Sequence, residues 1–363
     1  MDYRYTLDVM TETGRMLERA VVTPDWKAAL EWTHFEGIRE GALPAVTRTG
    51  PGEVEPVWDA HQGEPWVSGF RVTVRTGEGS VATRQIPKAY LRRIALEMST
   101  DLIKRRELEP GSTFRWVVSA LPAPGGAAPA TAGGDLFAVE ELARPLPVDE
   151  STFASFADDA VFASADDEAG GHVPVFFRRA VLDEATALAA ASGDLETGGV
   201  LVGKLHRDGG PRDGGRPVMF VEVTAQVPAP HTRSSSTTLT FTAETWAAVR
   251  AAIALRGRNE VMAGWWHNHL DWCRLRNCPL ERRRQCSAAN PFFSAEDVHL
   301  HATCFPAGYQ VALLVSDSAA AGGLTSSVFG WWEGLVVPRG FHVLGGERAV
   351  RTTEVQHGAS TAA

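Results

Sequence analysis

Apolar residues in the first third of the chain recur at the spacing of amphipathic helices and, between these, at the spacing of strands. Residues 23–26 (Thr-Pro-Asp-Trp) are typical of a helix start, with Thr23 as the N-cap and Pro24 in the first helical position. The same region predicts a helix beginning near Pro87 and strands over 69–76 and 113–119. We therefore expect residues 1–120 to form one α/β unit.

The second half of the chain predicts helices that alternate with strands. Thr242 and Ser294 each precede a run with apolar residues at helical spacing, so both are predicted N-caps. The full set, in chain order, is a helix over 182–191, strands over 198–205 and 218–227, the helix after Thr242, a strand over 261–266, the helix after Ser294, and strands over 310–315 and 328–337. This order predicts an α+β domain over residues 173–345, in which helices pack on a mixed sheet.

Composition separates these two regions. Residues 122–134 hold 12 Pro, Gly or Ala in 13 positions, and residues 149–168 hold seven acidic residues and no basic one. Such segments are typical of flexible and solvated connections. We expect a linker over 121–172, first rich in Pro, Ala and Gly and then acidic, and a flexible tail over 346–363.

Charge and composition exclude several classes of protein. The 363 residues include 35 Lys+Arg and 44 Asp+Glu, a formal net charge of −9, with 44% hydrophobic and 22% charged residues. These values predict globular domains rather than disorder, and the acidic balance argues against a nucleic-acid partner. No run has the ~18 apolar residues of a membrane span, and the N-terminus has no signal-peptide core, so we expect a cytoplasmic protein without membrane contact. The many Ala, Gly and Arg residues favour a bacterial source.

The four cysteines are clustered in the sequence. Cys273, Cys278, Cys286 and Cys304 lie within 32 of the 363 positions. In a reducing compartment, such thiols either bind metal or are buried. One interpretation is a structural zinc site, which His299 or His301 could complete; in the other, Cys304 is a core residue and the rest line a loop.

A second group of residues predicts a catalytic metal centre. His267 and His269 end a predicted strand, so both side chains lie on one face. Asp297 follows Ser294 by three positions, which brings the two together at the start of a helix. Two histidines and a carboxylate are a ligand set of catalytic zinc, and Glu196, between a helix and a Gly-containing strand, is the candidate general base. Each also has a plain structural interpretation: polar residues at a strand end, a helix cap, and a surface carboxylate.

Taken together, these segments resemble the JAMM signature of the MPN metalloprotease family. The resemblance covers residues 173–340 and rests on Glu196 with the following Thr-Gly-Gly-Val-Leu-Val-Gly, on His267-Asn-His269, and on Ser294-Ala-Glu-Asp297. It implies an MPN fold of the cytidine-deaminase-like type, with a mixed sheet flanked by helices. It also implies one catalytic Zn²⁺ on the two histidines and Asp297, Glu196 as the base, and Ser294 as a donor to the oxyanion.

The same resemblance implies an activity and partners. Such enzymes hydrolyse isopeptide or peptide bonds at the C-terminus of ubiquitin-like modifiers, in deconjugation or in precursor processing. The implied partners are a ubiquitin-like protein or its conjugates, together with modifier-activating or conjugating enzymes. We expect residues 1–120 to recognise the modifier, its target or a partner enzyme.

Two features depart from the family pattern. Leu270 replaces the proline that usually follows the second histidine, and residues 270–293 form a spacer longer than is usual in the family. This insertion holds three of the cysteines and is net basic, with five arginines (Arg274, Arg276, Arg282, Arg283 and Arg284) against Asp271 and Glu281. We interpret it as an enlarged loop at the rim of the site, where its charge could steer an acidic partner.

Three other functions compete with this one. The run from His267 to Trp272 also resembles the start of the metallo-β-lactamase motif, but Trp272 stands where that motif needs a histidine. A cysteine nucleophile would be Cys273 or Cys286, and no flanking motif supports it. The main alternative is a catalytically silent MPN scaffold or binding module, against which the complete set of ligand types argues.

Overall fold

A computed structural model describes residues 3–48, 50, 52–59, 66–122, 143–163, 172–210, 218–229, 233–234, 239–270, 273, 277–279, 281, 292–318 and 323–345. The helices are α1 (Lys27–Arg39), α2 (Arg92–Lys104), α3 (Phe153–Asp158), α4 (Arg179–Ala191), α5 (Ala243–Arg256) and α6 (Ala295–Cys304), and a 3₁₀ turn (Lys88–Leu91) precedes α2. The strands are β1 (Tyr3–Thr11), β2 (Met16–Val22), β3 (Glu53–Asp59), β4 (Trp66–Arg75), β5 (Val81–Pro87), β6 (Phe114–Pro122), β7 (Val148–Glu150), β8 (Ala160–Phe162), β9 (Val175–Arg178), β10 (Gly198–Asp208), β11 (Val218–Pro228), β12 (Arg233–Ser234), β13 (Leu239–Thr240), β14 (Val261–His269), β15 (Val311–Ser318), β16 (Gly323–Trp332), β17 (Leu335–Arg339) and β18 (His342–Leu344). The expected α+β class is confirmed.

The N-terminal region is built from two small antiparallel sheets and two helices. One sheet has the strand order β2-β1-β6 and the other the order β3-β4-β5. Apolar side chains of both sheets and both helices share one core, which includes Leu7, Trp32, Phe70, Ile86 and Leu102. Burial alternates along β4 on each side of Gly69–Phe70, and Val67, Phe70 and Val72 face this core.

The C-terminal region is organised around a large mixed sheet. Its strand order is β17-β16-β15-β14-β10-β11-β9-β18-β8, and β7 pairs with the far end of β10. β14 lies at the centre, antiparallel to β10 and parallel to β15. Both faces of these central strands are buried, as near-continuous apolar runs in β10 and β15 predict.

Opposite faces of the sheet pack against different helices. Leu201, Leu313 and Val315 point to the face that α4 covers. Val200 and Leu314, one position away along the same strands, point to the face that α5 and α6 cover. The sheet is therefore the middle layer between α4 on one side and α5 and α6 on the other.

The N-terminal region shares its core with the C-terminal sheet. Phe35 and Ile38 of α1 belong to the same apolar cluster as the α4 face of the sheet. The Phe35 ring lies 5.5 Å from the Tyr309 ring, and Lys27 donates a hydrogen bond to the Thr303 carbonyl oxygen at the end of α6. The two predicted units thus meet through buried apolar contacts rather than through a connecting linker alone.

Two details differ from the sequence predictions. Helix α1 begins at Lys27, three residues after Pro24, because Asp25 is fixed outside the helix: its carbonyl accepts from the Tyr90 hydroxyl and its carboxylate from the Lys27 N–H. The predicted linker over 121–172 contains β7, α3 and β8, which belong to the C-terminal region.

This ordered part of the predicted linker is held by polar contacts that composition does not reveal. Lys204 pairs with Asp149 at 2.7 Å, and the Ser151 hydroxyl lies 2.9 Å from Nδ1 of buried His206. Pairing with β10 and β18 buries this acidic segment in part. Residues 123–142 and 164–171, and the predicted tail over 346–363, lie outside the described residues.

Within the described ranges, no helix is both long and apolar enough to cross a membrane.

Candidate metal centre

Strand β14 brings the two candidate histidines to one face of the sheet. His267 and His269 are two positions apart at its C-terminal end, so both side chains point towards the α6 side. The His267 side chain is buried, and 11% of the His269 side chain is exposed. One imidazole therefore forms the floor of the site and the other faces its opening.

Helix α6 supplies the carboxylate. Ser294 is its N-cap: the Ser294 hydroxyl accepts from the Asp297 N–H at 3.1 Å, and Asp297 Oδ2 accepts from the Ser294 N–H at 2.7 Å. This reciprocal pair is a capping box, which satisfies backbone N–H groups that the helix leaves unpaired. The cap fixes the orientation of the Asp297 carboxylate, because one of its oxygens is held by the backbone.

The same carboxylate faces both imidazoles. His269 Nε2 lies 3.1 Å from Asp297 Oδ2, and His267 Nε2 lies 3.2 Å from Asp297 Oδ1. The candidate ligand atoms of the three residues all lie within 4.8 Å of one another, and they form the one such group of His, Cys, Asp and Glu in the described part of the chain. Three donors from two separate elements thus converge on one point.

The protonation states suit cation binding. Burial lowers the pKa of His267, which favours the neutral imidazole, and in that form one ring nitrogen offers its lone pair to a ligand. Burial alone would raise the pKa of Asp297, but the two neighbouring imidazoles outweigh it and hold that pKa well below its usual range. A carboxylate and a neutral imidazole are the forms in which these groups coordinate a metal.

Glu196 lies beside this group but is not part of it. Gly198 of β10 pairs with His267 of β14, and Glu196 lies two residues before this pair, close enough for the charges of His269 and Asp297 to act on its carboxyl group. Burial raises the pKa of Glu196 to about 7; the charge of Asp297 adds to this effect and His269 opposes it. A carboxyl group with that pKa can both accept and release a proton near neutrality.

Aromatic side chains, which the sequence analysis did not single out, enclose the histidines. The Trp265 ring stacks on His267 with a centroid distance of 4.5 Å, and its indole N–H donates to buried His301 Nδ1 at 3.0 Å. The Phe293 ring contacts both His267 and Trp265, each at a centroid distance of 5.9 Å, and partly exposed Phe292 lies 4.9 Å from His269. The sequence contains a signal for this contact, because Trp265 lies two positions before His267 on β14 and therefore points to the same face.

The other predicted site residues have different surroundings. Leu270, which stands in place of the expected proline, is buried. Among the cysteines, Cys273 is buried, Cys304 ends α6, and the Cys278 N–H donates to the Cys273 carbonyl oxygen. No cysteine belongs to a metal-holding group within the described ranges, and Cys286 and the five arginines of the insertion lie outside them. The structural zinc site stays a prediction.

The donor set fits a divalent transition metal. His267 is buried, yet neither of its ring nitrogens has a hydrogen-bond partner of acceptable geometry. A buried polar atom without a partner is costly, and a cation between the two imidazoles and Asp297 would give one of these nitrogens a partner. Two nitrogens and one carboxylate oxygen are a common protein ligand set of catalytic zinc, which leaves a coordination position for water or substrate.

Comparisons with known proteins give little guidance here. No family model and no curated protein matches the sequence. Among solved structures, the solution structure of protein DSY2949 from Desulfitobacterium hafniense aligns at 20% sequence identity with a TM-score of 0.29, over 47% of this chain and 92% of that one. A TM-score this low does not define a common fold.

Proposed function

We propose that this protein is a zinc-dependent metalloprotease of the JAMM/MPN type, which hydrolyses isopeptide or peptide bonds at the C-terminus of a ubiquitin-like modifier. The convergence of His267, His269 and Asp297 on one point supports this proposal most strongly. Glu196, two residues before the β10 residue that pairs with His267, adds a proton acceptor beside the donor group. The order of these residues along the chain matches the family's signature, which a chance metal site would not do.

The roles of the residues follow from their positions. The two histidines and Asp297 would hold zinc, which supplies Lewis-acid polarisation of the scissile carbonyl and makes water more acidic. Glu196 takes a proton from the attacking water and passes it to the departing amine. The Ser294 hydroxyl, which accepts the cap bond through its oxygen, keeps its own proton to donate to the carbonyl oxygen as negative charge develops there.

The buried wall of the site favours this chemistry. Trp265, His267 and Phe293 exclude water from the inner side of the donor group. Electrostatic interactions are stronger where water is excluded. The partly exposed Phe292 and His269 mark the open side, from which an extended polypeptide tail would enter. We propose a ubiquitin-like protein, or its conjugates, as the partner in a cytoplasmic bacterial conjugation system.

Metal content is the first test of this proposal. Elemental analysis of the purified wild type should find about one zinc per chain, and His267→Ala should remove it, because a two-donor site binds zinc far more weakly. His299→Ala is the matched control, since His299 is an exposed histidine on α6, and it should retain the zinc. If the wild type contains about two zinc ions per chain and His267→Ala about one, the second ion is held elsewhere, and the cysteines are the candidate ligands.

Zinc content that His267→Ala leaves unchanged would contradict the metalloprotease. The scaffold interpretation would then lead. If the mutation removes zinc, hydrolysis is assayed with ubiquitin and related modifiers that carry a C-terminal aminocoumarin amide. Loss of that hydrolysis in Glu196→Gln, with the zinc retained, identifies the base.

A further inference from the structure

The residue between the two candidate ligands points the other way. Asn268 follows His267 and precedes His269, so strand alternation turns its side chain to the α4 face of the sheet. It is buried, with 4% of its surface exposed. On that face lies the segment that joins α4 to β10, residues 192–197, which carries Glu196.

Asn268 is bonded to this segment at several points. Its backbone N–H donates to the Thr197 carbonyl oxygen at 3.1 Å, and its side-chain Oδ1 accepts from the Thr197 N–H at 2.6 Å. Its Nδ2 donates to the Ser192 hydroxyl at 3.3 Å, with a longer contact of 3.5 Å to the Leu195 carbonyl oxygen. One side chain thus holds the start, middle and end of the segment.

The bond from the Thr197 N–H has a specific structural meaning. In a hydrogen-bonded antiparallel pair, each residue donates its backbone N–H to the backbone carbonyl oxygen of the other. Here the Asn268 side chain, not its backbone carbonyl, accepts from Thr197. The side chain therefore adds a hydrogen bond one residue beyond the terminal β10–β14 pair, Gly198 and His267, at the residue that follows Glu196 in the chain. Without it, a part-buried N–H would lose its hydrogen-bond acceptor, which destabilises the local fold.

We propose that Asn268 is a positioning residue that fixes Glu196 against the ligand strand. This proposal deepens the proposed function, since it assigns Asn268 to the geometry of the candidate base. The end of β14 then positions both the candidate ligands and the candidate base. His267 and His269 face α6, and Asn268 holds the segment of Glu196 from the opposite face of the sheet. Asn268 would not contact substrate or metal.

The test measures backbone exchange, which needs neither metal nor substrate. In Asn268→Ala, peptides that cover residues 190–200 should exchange hydrogen for deuterium about tenfold faster, because the Thr197 N–H loses its acceptor. Asn268→Asp keeps an acceptor oxygen at the same place and should restore most of this protection. Ser192→Ala removes a single acceptor and should give a smaller increase, so the series remains informative if Asn268→Ala folds poorly.

Gln310→Ala is the matched control. Gln310 is also a buried carboxamide that bonds to backbone at both ends, to the Ala307 N–H and the Met262 carbonyl oxygen, but it lies away from residues 192–197. Its loss should leave exchange over residues 190–200 unchanged. Equal exchange in Asn268→Ala and wild type, or equal acceleration in Asn268→Ala and Gln310→Ala, would overturn the proposal.

Cobalt binding separates this proposal from the proposed function. Asn268→Ala should bind Co²⁺ as the wild type does, because its side chain faces away from the three donors; loss of Co²⁺ would make Asn268 part of the metal centre instead. With an aminocoumarin amide of a peptide that ends in Gly-Gly, kcat should fall about 100-fold while KM stays within about twofold. If the wild type neither binds Co²⁺ nor cleaves this probe, the proposed function fails, and the exchange data still decide whether Asn268 holds the segment.

Discussion

Asp297 combines two roles that the sequence presents as alternatives. The Ser-x-x-Asp spacing is typical of a capping box and also of a metal-ligand motif. In the structure, Oδ2 closes the cap and faces His269, while Oδ1 faces His267. The cap therefore assists the candidate metal centre, because it orients the carboxylate before any ion binds. A plain structural interpretation of a motif does not exclude a functional one.

Buried histidines predict acid sensitivity at the residue scale. Burial lowers the pKa of His34 on α1 to about 4, and the charge of Arg48 adds to this effect. Between the ordinary value of 6.5 and about 4, the unfolded chain binds a proton that folded His34 does not. Stability is therefore complete above pH 6.5 and falls as the pH drops, by at most ~1.4 kcal/mol per pH unit for this group.

Denaturant unfolding of the metal-free protein at pH 7.5, 6.0 and 5.0 measures this slope. His34→Gln should reduce the slope of the unfolding free energy against pH by the equivalent of about one bound proton. His299→Gln, at an exposed position on α6, should leave that slope unchanged. A slope that is the same in wild type and His34→Gln would contradict the assignment.

Strand β14 organises the site at the scale of elements. Its alternation sends Trp265, His267 and His269 to the α6 face and Asn268 to the α4 face. The strand needs close pairing with β15, and Gly264 permits it: the residue has φ +148°, and a Cβ there would lie 1.8 Å from the Val311 carbonyl oxygen. Glycine at this position follows from backbone approach, not from loop flexibility.

Gly264→Ala should therefore destabilise the protein strongly. We expect a loss of about 3 kcal/mol or more in the free energy of unfolding, since β14 and β15 must separate to admit the methyl group. Gly257→Ala is the comparison: Gly257 has φ +58° with open space around it, so only the conformational cost of about 1 kcal/mol applies. Equal losses in the two variants, measured by denaturant unfolding, would show that the close contact is unimportant.

At the scale of the whole molecule, the chain does not divide at its compositional boundary. Phe35 and Ile38 of α1 complete the core on the α4 face, and Trp331 of β16 belongs to the N-terminal core. Lys27 also bonds to the end of α6, the helix that carries Asp297. Deleting residues 1–120 would thus expose apolar surface of the C-terminal region as well as any recognition surface. We propose that the N-terminal region recognises the modifier, its target or a partner enzyme, and substitutions on its surface, which leave the shared core intact, test this.

A shared core predicts cooperative unfolding. Phe35→Ala should lower stability by about 3 kcal/mol and shift a single thermal transition, because both regions lose the contact with Tyr309. Phe162→Ala, at a position that is 47% exposed, should have a small effect. Calorimetry that resolves two transitions, with Phe35→Ala shifting only one of them, would show that the regions unfold independently.

The sequence by itself determined the elements around the candidate site and predicted the residues that meet there. Local rules suffice there: strand alternation pairs His267 with His269, and the cap spacing of Ser294 and Asp297 starts α6 where it was predicted. Tertiary structure decided the rest. The order of the sheet brings Glu196 to the strand end that carries the histidines, gives Asn268 its partners, and merges α1 with the C-terminal core. These contacts join residues distant in the chain, and neither periodicity nor composition records which strands become neighbours.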